Sequence, residues 1–320
     1  MLLKLLKVHL WDNFMASLKD IKNRILSIQS TMKITRAMKM VAAAKVKKAE
    51  TNVKNARPYS ANVSLMLEKM LETIDDIRYV DNTEISNPIE NYPGIIAQRP
   101  VKSVGLLVLT SNKGLAGAYN SNIVKQTINR INTYKCNNVS VKLYVAGQKG
   151  EAGLKKKISK YGLKIEKTYY NIIDKPDITS TYYVIEELAN LYIKGEIDKI
   201  EIITTKFRNM MSYSVEQWQI LPIKKKQEQQ NNYSRVMEFE PDKETILAKI
   251  VPMYLTGIVH QAILEAQASE LASRMTAMSA ASNNAEKILK ELSVEYNKIR
   301  QAAITNEIVE VVSGANAQIG

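Results

Sequence analysis

Cysteine, histidine and catalytic motifs are scarce in this chain, and each shortage excludes a class of function. The one cysteine, Cys136, cannot form an intramolecular disulfide, and it suits a reducing compartment. There are only two histidines, His9 and His260, and no group of Cys and His has the spacing of a metal site. No nucleophile and base stand together in a motif. The sequence therefore predicts a protein with no metal, no cofactor and no active site of its own.

Long apolar runs are also missing. No stretch approaches the ~20 apolar residues that cross a bilayer, so the chain is predicted to be soluble or peripheral to a membrane. Residues 1–14 are basic and amphipathic like a mitochondrial targeting segment, yet they contain Asp12 and no arginine. We interpret them as an N-terminal extension, either a targeting segment or an untrimmed start.

Acidic residues are too few to balance the basic ones, and the formal net charge is +13. Between Lys19 and Arg57, eleven Lys and Arg residues stand against Asp20 and Glu50, so this stretch alone carries +9. Such density predicts an acidic partner, which could be nucleic acid, an anionic membrane surface or an acidic protein. A solvated basic face is the alternative.

The C-terminal part of the chain is dominated by a long helical repeat. Apolar or small residues recur at every third or fourth position, which is the spacing of a coiled-coil seam. The seam comprises Leu247, Ile250, Tyr254, Gly257, Gln261, Leu264, Ala268, Leu271, Met275, Met278, Ser282, Ala285, Leu289, Leu292, Tyr296, Ile299 and Ala303. Gly314 beyond the seam predicts the helix end.

A second seam lies near the N-terminus. It comprises Leu18, Ile21, Ile25, Ile28, Met32, Thr35, Lys39, Ala42, Val46 and Ala49. Ser17 is a good N-cap for this helix, and Pro58 is expected to kink or end it. One seam at each end of the chain predicts that the two terminal helices pair as an antiparallel coiled coil.

Between the helices the pattern changes to strands that alternate with shorter helices. A buried strand at Val101–Thr110 is followed by a Gly-rich turn and a helix, and further strands are expected near 139–147, 163–169, 197–205 and 213–221. This alternation predicts a small α/β domain with a largely parallel sheet. The turn SNKGLAGAYN (Ser111–Asn120) has its lysine before both glycines, so it fits no phosphate-binding motif. We interpret it as a tight turn packed against a neighbour.

Four stretches resemble signature stretches of one family. They are MKITRAMKMVAAAK (Met32–Lys45), SNKGLAGAYN, ASELASRMTAMSAASNNA (Ala268–Ala285) and YNKIRQAAITNEIVEVVSGA (Tyr296–Ala315). In sequence and order they are similar to the gamma subunit of rotary ATP synthases, over nearly the whole chain from Ser17. The resemblance implies a rotor shaft inside a ring of catalytic subunits, with catalysis left to those partners.

The fold class is therefore predicted as a long antiparallel coiled coil of terminal helices with an inserted Rossmann-like α/β domain. The predicted organisation is an extension at 1–14, a coiled-coil helix at 15–74, a linker at 75–100, the α/β domain at 101–223, a loop and foot at 224–243, and a coiled-coil helix and tail at 244–320.

The resemblance also implies contact residues. Those expected to meet the catalytic subunits or the opposite helix are Lys33, Arg36, Met38, Lys39, Arg274, Gln301, Thr305 and Glu307. Those expected at a foot on the membrane ring are Tyr233, Arg235 and Glu238. The apolar tip Ile308–Val312 is expected to sit in a sleeve at the top of the catalytic ring.

The partners implied by the resemblance are the alpha and beta subunits, delta/epsilon-type central-stalk subunits and a proton-carrying c-type ring. The chain would then be peripheral to the inner mitochondrial membrane on its matrix side, or to a bacterial plasma membrane on its cytoplasmic side. The alternatives are a nucleotide-binding α/β enzyme with helical arms, a basic coiled-coil nucleic-acid binder and a coiled-coil scaffold without a rotary role. The first lacks a phosphate loop, and the second lacks aromatic residues interleaved along its basic helix.

Overall fold

The computed structural model describes the backbone of residues 2–72, 92–96, 99–223, 240 and 243–319, and the side chains of 18–71, 94–96, 99–223, 240 and 245–317. These residues form two compact units. One, here called the coiled-coil unit, comprises Met1–Val41 with Met275–Gly320. The other, the central unit, comprises Ala42–Arg274.

Two long helices and a five-stranded sheet make up most of the described chain. The helices are α1 (Leu2–Glu72), α2 (Tyr92–Ile96), α3 (Tyr119–Cys136), α4 (Gln148–Ile158), α5 (Ile178–Ile193) and α6 (Lys243–Ile319). The strands are β1 (Ser103–Leu109), β2 (Ser140–Ala146), β3 (Ile165–Tyr169), β4 (Lys199–Asn209) and β5 (Ser212–Leu221). A short 3-10 turn at Ser159–Tyr161 follows α4.

The sheet of the central unit is largely parallel, as predicted. Its strand order is β3-β2-β1-β4-β5. Strand β1 pairs in parallel with β2 and β4, and β5 turns back to pair antiparallel with β4. Helices connect the parallel strands, because a parallel neighbour can be reached only by a crossover.

Strand β1 is apolar almost throughout because both faces of the sheet are covered. Val104, Leu106 and Val108 point into a core that contains residues of α3 and α4. Leu107 and Leu109 point into a second core that contains residues of α5, α6 and the C-terminal part of α1. Successive side chains of a strand face opposite ways, so a strand buried on both sides reads as a continuous apolar run.

Within the central unit, α1 and α6 run antiparallel and pack closely. The Ser60 hydroxyl donates to the Gly257 carbonyl at 3.2 Å. A third core joins the two helices to the end of β4. It comprises Val46, Ala49, Val53, Phe207, Leu264, Ala268 and Ala272.

The coiled-coil unit has the two predicted seams. In α1 the seam positions from Leu18 to Thr35 are half-buried, while most residues between them are exposed. In α6, Met278, Ser282, Ala285 and Leu292 are buried. The hydroxyls of Thr35 and Ser282 are hydrogen-bonded at 2.8 Å across the pair. The predicted fold class, an antiparallel coiled coil with an inserted α/β domain, is confirmed.

The helix limits differ from the predictions in three places. Helix α1 begins at Leu2, so Ser17 is not its N-cap; the N-terminal extension at 1–14 stays a prediction. Pro58 lies inside α1, although an interior proline costs ~3 kcal/mol, because bonds from Arg57 and Ser60 hold the helix to α6 on both sides. Gly314 does not end α6, which continues to Ile319, since an exposed interior glycine costs a helix only about 1 kcal/mol.

The prediction of a linker at 75–100 is wrong for residues 92–96. Tyr92–Ile96 is helical, and Ile95 and Ile96 are buried in the core. Arg99 forms an ion pair with Asp198 at 2.6 Å. Residues 73–91 and 97–98 lie outside the described residues, as do residues 224–239 and 241–242 of the loop and foot predicted at 224–243. The inner parts of α1 and α6 also belong to the same compact unit as the sheet, whereas the predicted organisation separated them.

One window within Thr245–Ala317 of α6 is long and apolar enough to cross a membrane, contrary to the prediction from the sequence. Of this window, 44% is buried inside the structure. A core helix of a soluble protein has the same properties, so the window is weak evidence for a membrane span.

Candidate functional site

The basic stretch of α1 presents its charges to solvent. Nine of the eleven Lys and Arg residues between Lys19 and Arg57 are exposed, and only Lys39 and Arg57 are half-buried. Lys33 and Arg36 are exposed, whereas Met38 and the seam residue Lys39 are half-buried. Exposed charges with a packed apolar seam behind them form a surface suited to an acidic partner.

The predicted contacts on α6 fall into two groups. Gln301, Thr305 and Glu307 are exposed. The antiparallel pairing brings Arg36 beside Glu286 and Lys290, which are about three to four turns from Gln301. The predicted contact residues of the two helices therefore do not form one compact site.

Arg274 is engaged within the chain. Its side chain is 11% exposed and forms an ion pair with Glu270, one helical turn earlier. Its guanidinium also donates to the Gly114 carbonyl at 3.2 Å. Burial raises the pKa of Glu270, and the charge of Arg274 opposes that shift. Arg274 thus fixes the turn after β1 to α6.

The turn SNKGLAGAYN is a packing element, as predicted. Its polar groups are used inside the turn: the Asn120 side-chain oxygen accepts from the Ser111 N–H at 3.1 Å. Ser273 of α6 donates to the Ala116 carbonyl at 2.7 Å, and Ala116 is buried. The backbone of the turn therefore faces α6.

Two buried hydroxyls attach the sheet and α3 to the backbone of α6. The Tyr119 hydroxyl donates to the Ala266 carbonyl at 3.0 Å, and the Thr204 hydroxyl donates to the Ala262 carbonyl at 3.1 Å. Burial raises the pKa of Tyr119 far above its ordinary value, so the phenol stays a neutral donor. These bonds and the Arg274 contacts fasten α6 along one side of the central unit.

An ion pair between half-buried Arg57 and a buried carboxylate, Glu265, joins α1, α6 and β4. Both carboxylate oxygens of Glu265 accept from the guanidinium of Arg57, at 2.7 and 2.8 Å. Glu265 also accepts from the Phe207 N–H at 2.7 Å, and Arg57 donates to the Phe207 carbonyl at 2.6 Å. The Glu265 side chain is 0% exposed, and its hydrogen bond raises the pKa of Arg57. Removing Arg57 would leave the buried Glu265 carboxylate uncompensated, which costs about 3–5 kcal/mol.

Glu265 and its role were not predicted from the sequence. The signal was present, because Glu265 is the only acid between His260 and Ala268, in a stretch rich in apolar and small residues. A charge in such a setting needs a partner when it is buried. The identity of that partner, more than 200 residues away in the chain, could not be read from spacing.

A cavity of about 620 Å³ opens between α1, α5 and α6 and is lined by Tyr59, Tyr182, Pro252, Met253 and His260 among others. The His260 ring nitrogen Nδ1 lies 3.2 Å from the Thr181 hydroxyl, and burial lowers the pKa of His260. Within the described part of the chain, no group of three or more His, Cys, Asp or Glu side chains could hold a metal ion.

Known proteins match this chain over nearly its full length. Residues 17–318 match a family model described as ATP synthase. A protein named ATP synthase gamma chain from Staphylococcus epidermidis is 38% identical over 304 residues, covering 95% of this chain and 99% of the relative. The protein of the same name from Flavobacterium johnsoniae is 38% identical over 307 residues, covering 96% and 100%.

Solved structures are similar in fold. A chain in the central stalk and c-ring structure of Tetrahymena thermophila mitochondrial ATP synthase has a TM-score of 0.57 and 27% identity, covering 78% of this chain and 99% of that one. A chain of the Euglena gracilis mitochondrial ATP synthase has a TM-score of 0.65, with 95% of each chain covered. At 16% identity, the latter shows the fold alone.

Proposed function

Because this chain belongs to the ATP synthase gamma chain family, we propose that it is the central-stalk rotor subunit of an ATP synthase. In this role it transmits torque from a proton-driven membrane ring to a catalytic ring of alpha and beta subunits. It catalyses nothing itself. The nucleic-acid-binding and scaffold alternatives gain no support from the relatives or the solved structures.

The observation that carries this proposal is the antiparallel coiled coil with one buried seam and an exposed basic face. The surface of this helix pair is chemically uneven: Lys33 and Arg36 are exposed and charged, whereas seam residues such as Met32 are apolar and half-buried. A shaft that turns can then present different faces to identical partners in succession. It changes their nucleotide affinity only if it contacts their open and closed states differently.

The further partners follow from the same proposal. Delta/epsilon-type subunits would join the central stalk, and a c-type ring would drive it, so the chain would be peripheral to the membrane through its complex. Tyr233, Arg235 and Glu238 remain proposed foot residues and lie outside the described residues. The membrane is proposed to be the inner mitochondrial membrane on its matrix side, with a bacterial plasma membrane on its cytoplasmic side as the alternative.

The first experiment isolates the chain with its partners. A C-terminally tagged chain is purified gently from the membrane fraction, and the eluate is assayed for size and ATPase activity. Recovery in a large complex with ATPase activity is expected. Recovery as a free monomer, or bound to nucleic acid, contradicts the proposal. Separating organelle from plasma-membrane fractions in the same preparation distinguishes the two locations.

A second experiment tests the basic face itself. Reversing the charges of Lys33, Arg36 and Lys39 together should lower ATP synthesis while the complex still assembles, because the acidic partner then meets repulsion in place of attraction. The matched control reverses Lys155, Lys156 and Lys157, which are exposed on α4 and change the net charge equally. Normal synthesis in the first variant, or an equal loss in the control, refutes the contact assignment.

A further inference from the structure

The Arg57–Glu265–Phe207 group, here called the joint, ties three elements of the central unit together. Its hydrogen bonds form a closed circuit: Arg57 of α1 binds Glu265 of α6, Glu265 accepts from the backbone N–H of Phe207, and the Phe207 carbonyl accepts from Arg57. Every bond in the circuit lies between 2.6 and 2.8 Å. A bidentate guanidinium–carboxylate pair also fixes the relative orientation of its two planes.

The side chain of Phe207 reinforces the joint. It is 3% exposed and packs in the core shared by α1 and α6, with Val46, Val53, Leu264 and Ala268. The end of β4 is therefore held twice, by its backbone in the ion-pair circuit and by its ring between the helices. A strand end bound in this way cannot shift along either helix without breaking a directional contact.

The rest of the helix interface resists turning less well. Its seam in this region contains small residues such as Ala49, Ala268 and Ala272. Apolar attraction is non-directional, so it constrains the rotation of the helices less than a directional bond does. The Ser60–Gly257 hydrogen bond also joins α1 to α6, but it does not include the sheet. The hydroxyl bonds from Tyr119 and Thr204 run to α6, whereas Arg57 carries a bond from α1 to β4.

We propose that the joint is the positioning element that locks α1, α6 and the sheet into one rotational register, so that torque passes through the central unit without slip. This inference rests on the proposed rotor function. Arg57 and Glu265 act through the backbone they hold and contact no reacting group. If the joint is broken, we expect coupling to fail while catalysis, which belongs to the partner subunits, continues.

The test uses the complete complex with single variants R57K and E265Q. R57K keeps the charge and loses the two-pronged geometry, and E265Q keeps the shape and loses the charge. In each, ATP hydrolysis should stay near that of the original complex, while protons pumped per ATP hydrolysed fall roughly fivefold or more. ATP synthesis should fall with the pumping ratio.

A double variant separates coupling from folding. R57M/E265Q removes the buried charge from both sides, which proteins tolerate far better than removing one partner, so the complex should assemble. The amide introduced by E265Q can still accept from the Phe207 N–H, but the guanidinium link is lost. If the double variant assembles and pumps the normal number of protons per ATP, the proposed role of the joint is refuted. Equal loss of assembly, hydrolysis and pumping in all three variants also overturns it, because that pattern marks a purely structural pair.

The matched control is R208Q. Arg208 follows Phe207 on β4 and pairs with Glu216 at 3.1 Å, but its side chain is 54% exposed. This variant should pump normally, and a loss equal to that of R57K refutes the assignment. If the original chain forms no ATPase complex at all, the proposed function is refuted. If the original complex is coupled and the variants are as well coupled as it is, only the proposed role of the joint is refuted.

Discussion

Helix α6 buries its side chains in two different ways along its length. Between Ala262 and Glu270 every side chain except Gln267 is buried, because the sheet lies on one side and α1 on the other. Between Glu286 and Ala303 only Leu292 is buried, and a single seam faces α1. The same helix therefore serves as a core element in the central unit and as half of a two-helix coiled coil in the coiled-coil unit.

The largest effect is expected where the helix is surrounded. Ile263 is 0% exposed in the core of the central unit. Ile263→Ala should lower the free energy of unfolding of the central unit by about 4 kcal/mol, because the cavity cannot collapse between packed layers. Two separate measurements check this loss: urea denaturation, and hydrogen exchange of the β4 amides in the folded protein. If Ile263→Ala lowered the unfolding free energy by less than the coiled-coil variant Leu292→Ala does, the proposed difference between the two parts of α6 would be wrong.

The central unit should also have a strong acid dependence. Burial alone would raise the pKa of Glu201, but bonds from Arg130 at 2.7 Å and Lys199 at 2.6 Å outweigh it and lower the pKa to about 2. Because the pKa of Glu201 is lower in the folded state than in the unfolded chain, where it is near 4.5, the ionised carboxylate stabilises the fold at pH values above 4.5. This stabilisation is lost as the pH falls towards 2. The contribution is about 3 kcal/mol.

Glu201→Gln tests this dependence. The variant should be less stable at pH 7, and its unfolding free energy should change less than that of the original chain between pH 4.5 and 2. Denaturant titrations at a series of pH values measure both. An unchanged slope in that window would show that other carboxylates cause the acid sensitivity.

A smaller effect is expected in the coiled-coil unit. Leu292 is 8% exposed and belongs to the seam of the coiled-coil unit. Leu292→Ala should cost about 2 kcal/mol, at the low end for a buried leucine, since the partner helix can move into the space. Amide exchange near residue 292 should rise while exchange in β1 stays constant. Faster exchange in β1 would mean that the two regions unfold together.

The smallest effect concerns the surface of the same helix. Lys290 and Glu286 form an exposed pair at 3.3 Å, one turn apart. Lys290→Gln should change the unfolding free energy by no more than a few tenths of a kcal/mol, because solvent and salt screen such pairs. Thermal unfolding at low and high salt measures it, and a loss above 1 kcal/mol would reveal a tertiary role for this charge.

The long helices, both seams and the order of strands and helices were set by local pattern, and the structure confirms them. Periodicity is local, and the spacing of Met278, Ser282, Ala285 and Leu292 is enough to define a buried face. The family resemblance was likewise carried by contiguous motifs, and the matched relatives agree with it.

Tertiary structure alone decided the features that depend on distant partners. Pro58 stays helical because Arg57 and Ser60 are bonded to α6, and Tyr92–Ile96 folds because Ile95 and Ile96 enter a core supplied by other elements. Glu265 becomes the centre of a joint because folding brings Arg57 and Phe207 to it. Local pattern specifies which face of an element is apolar, but the free energy of burying a charge or keeping a proline depends on what packs against it, and that is fixed only when the chain has folded.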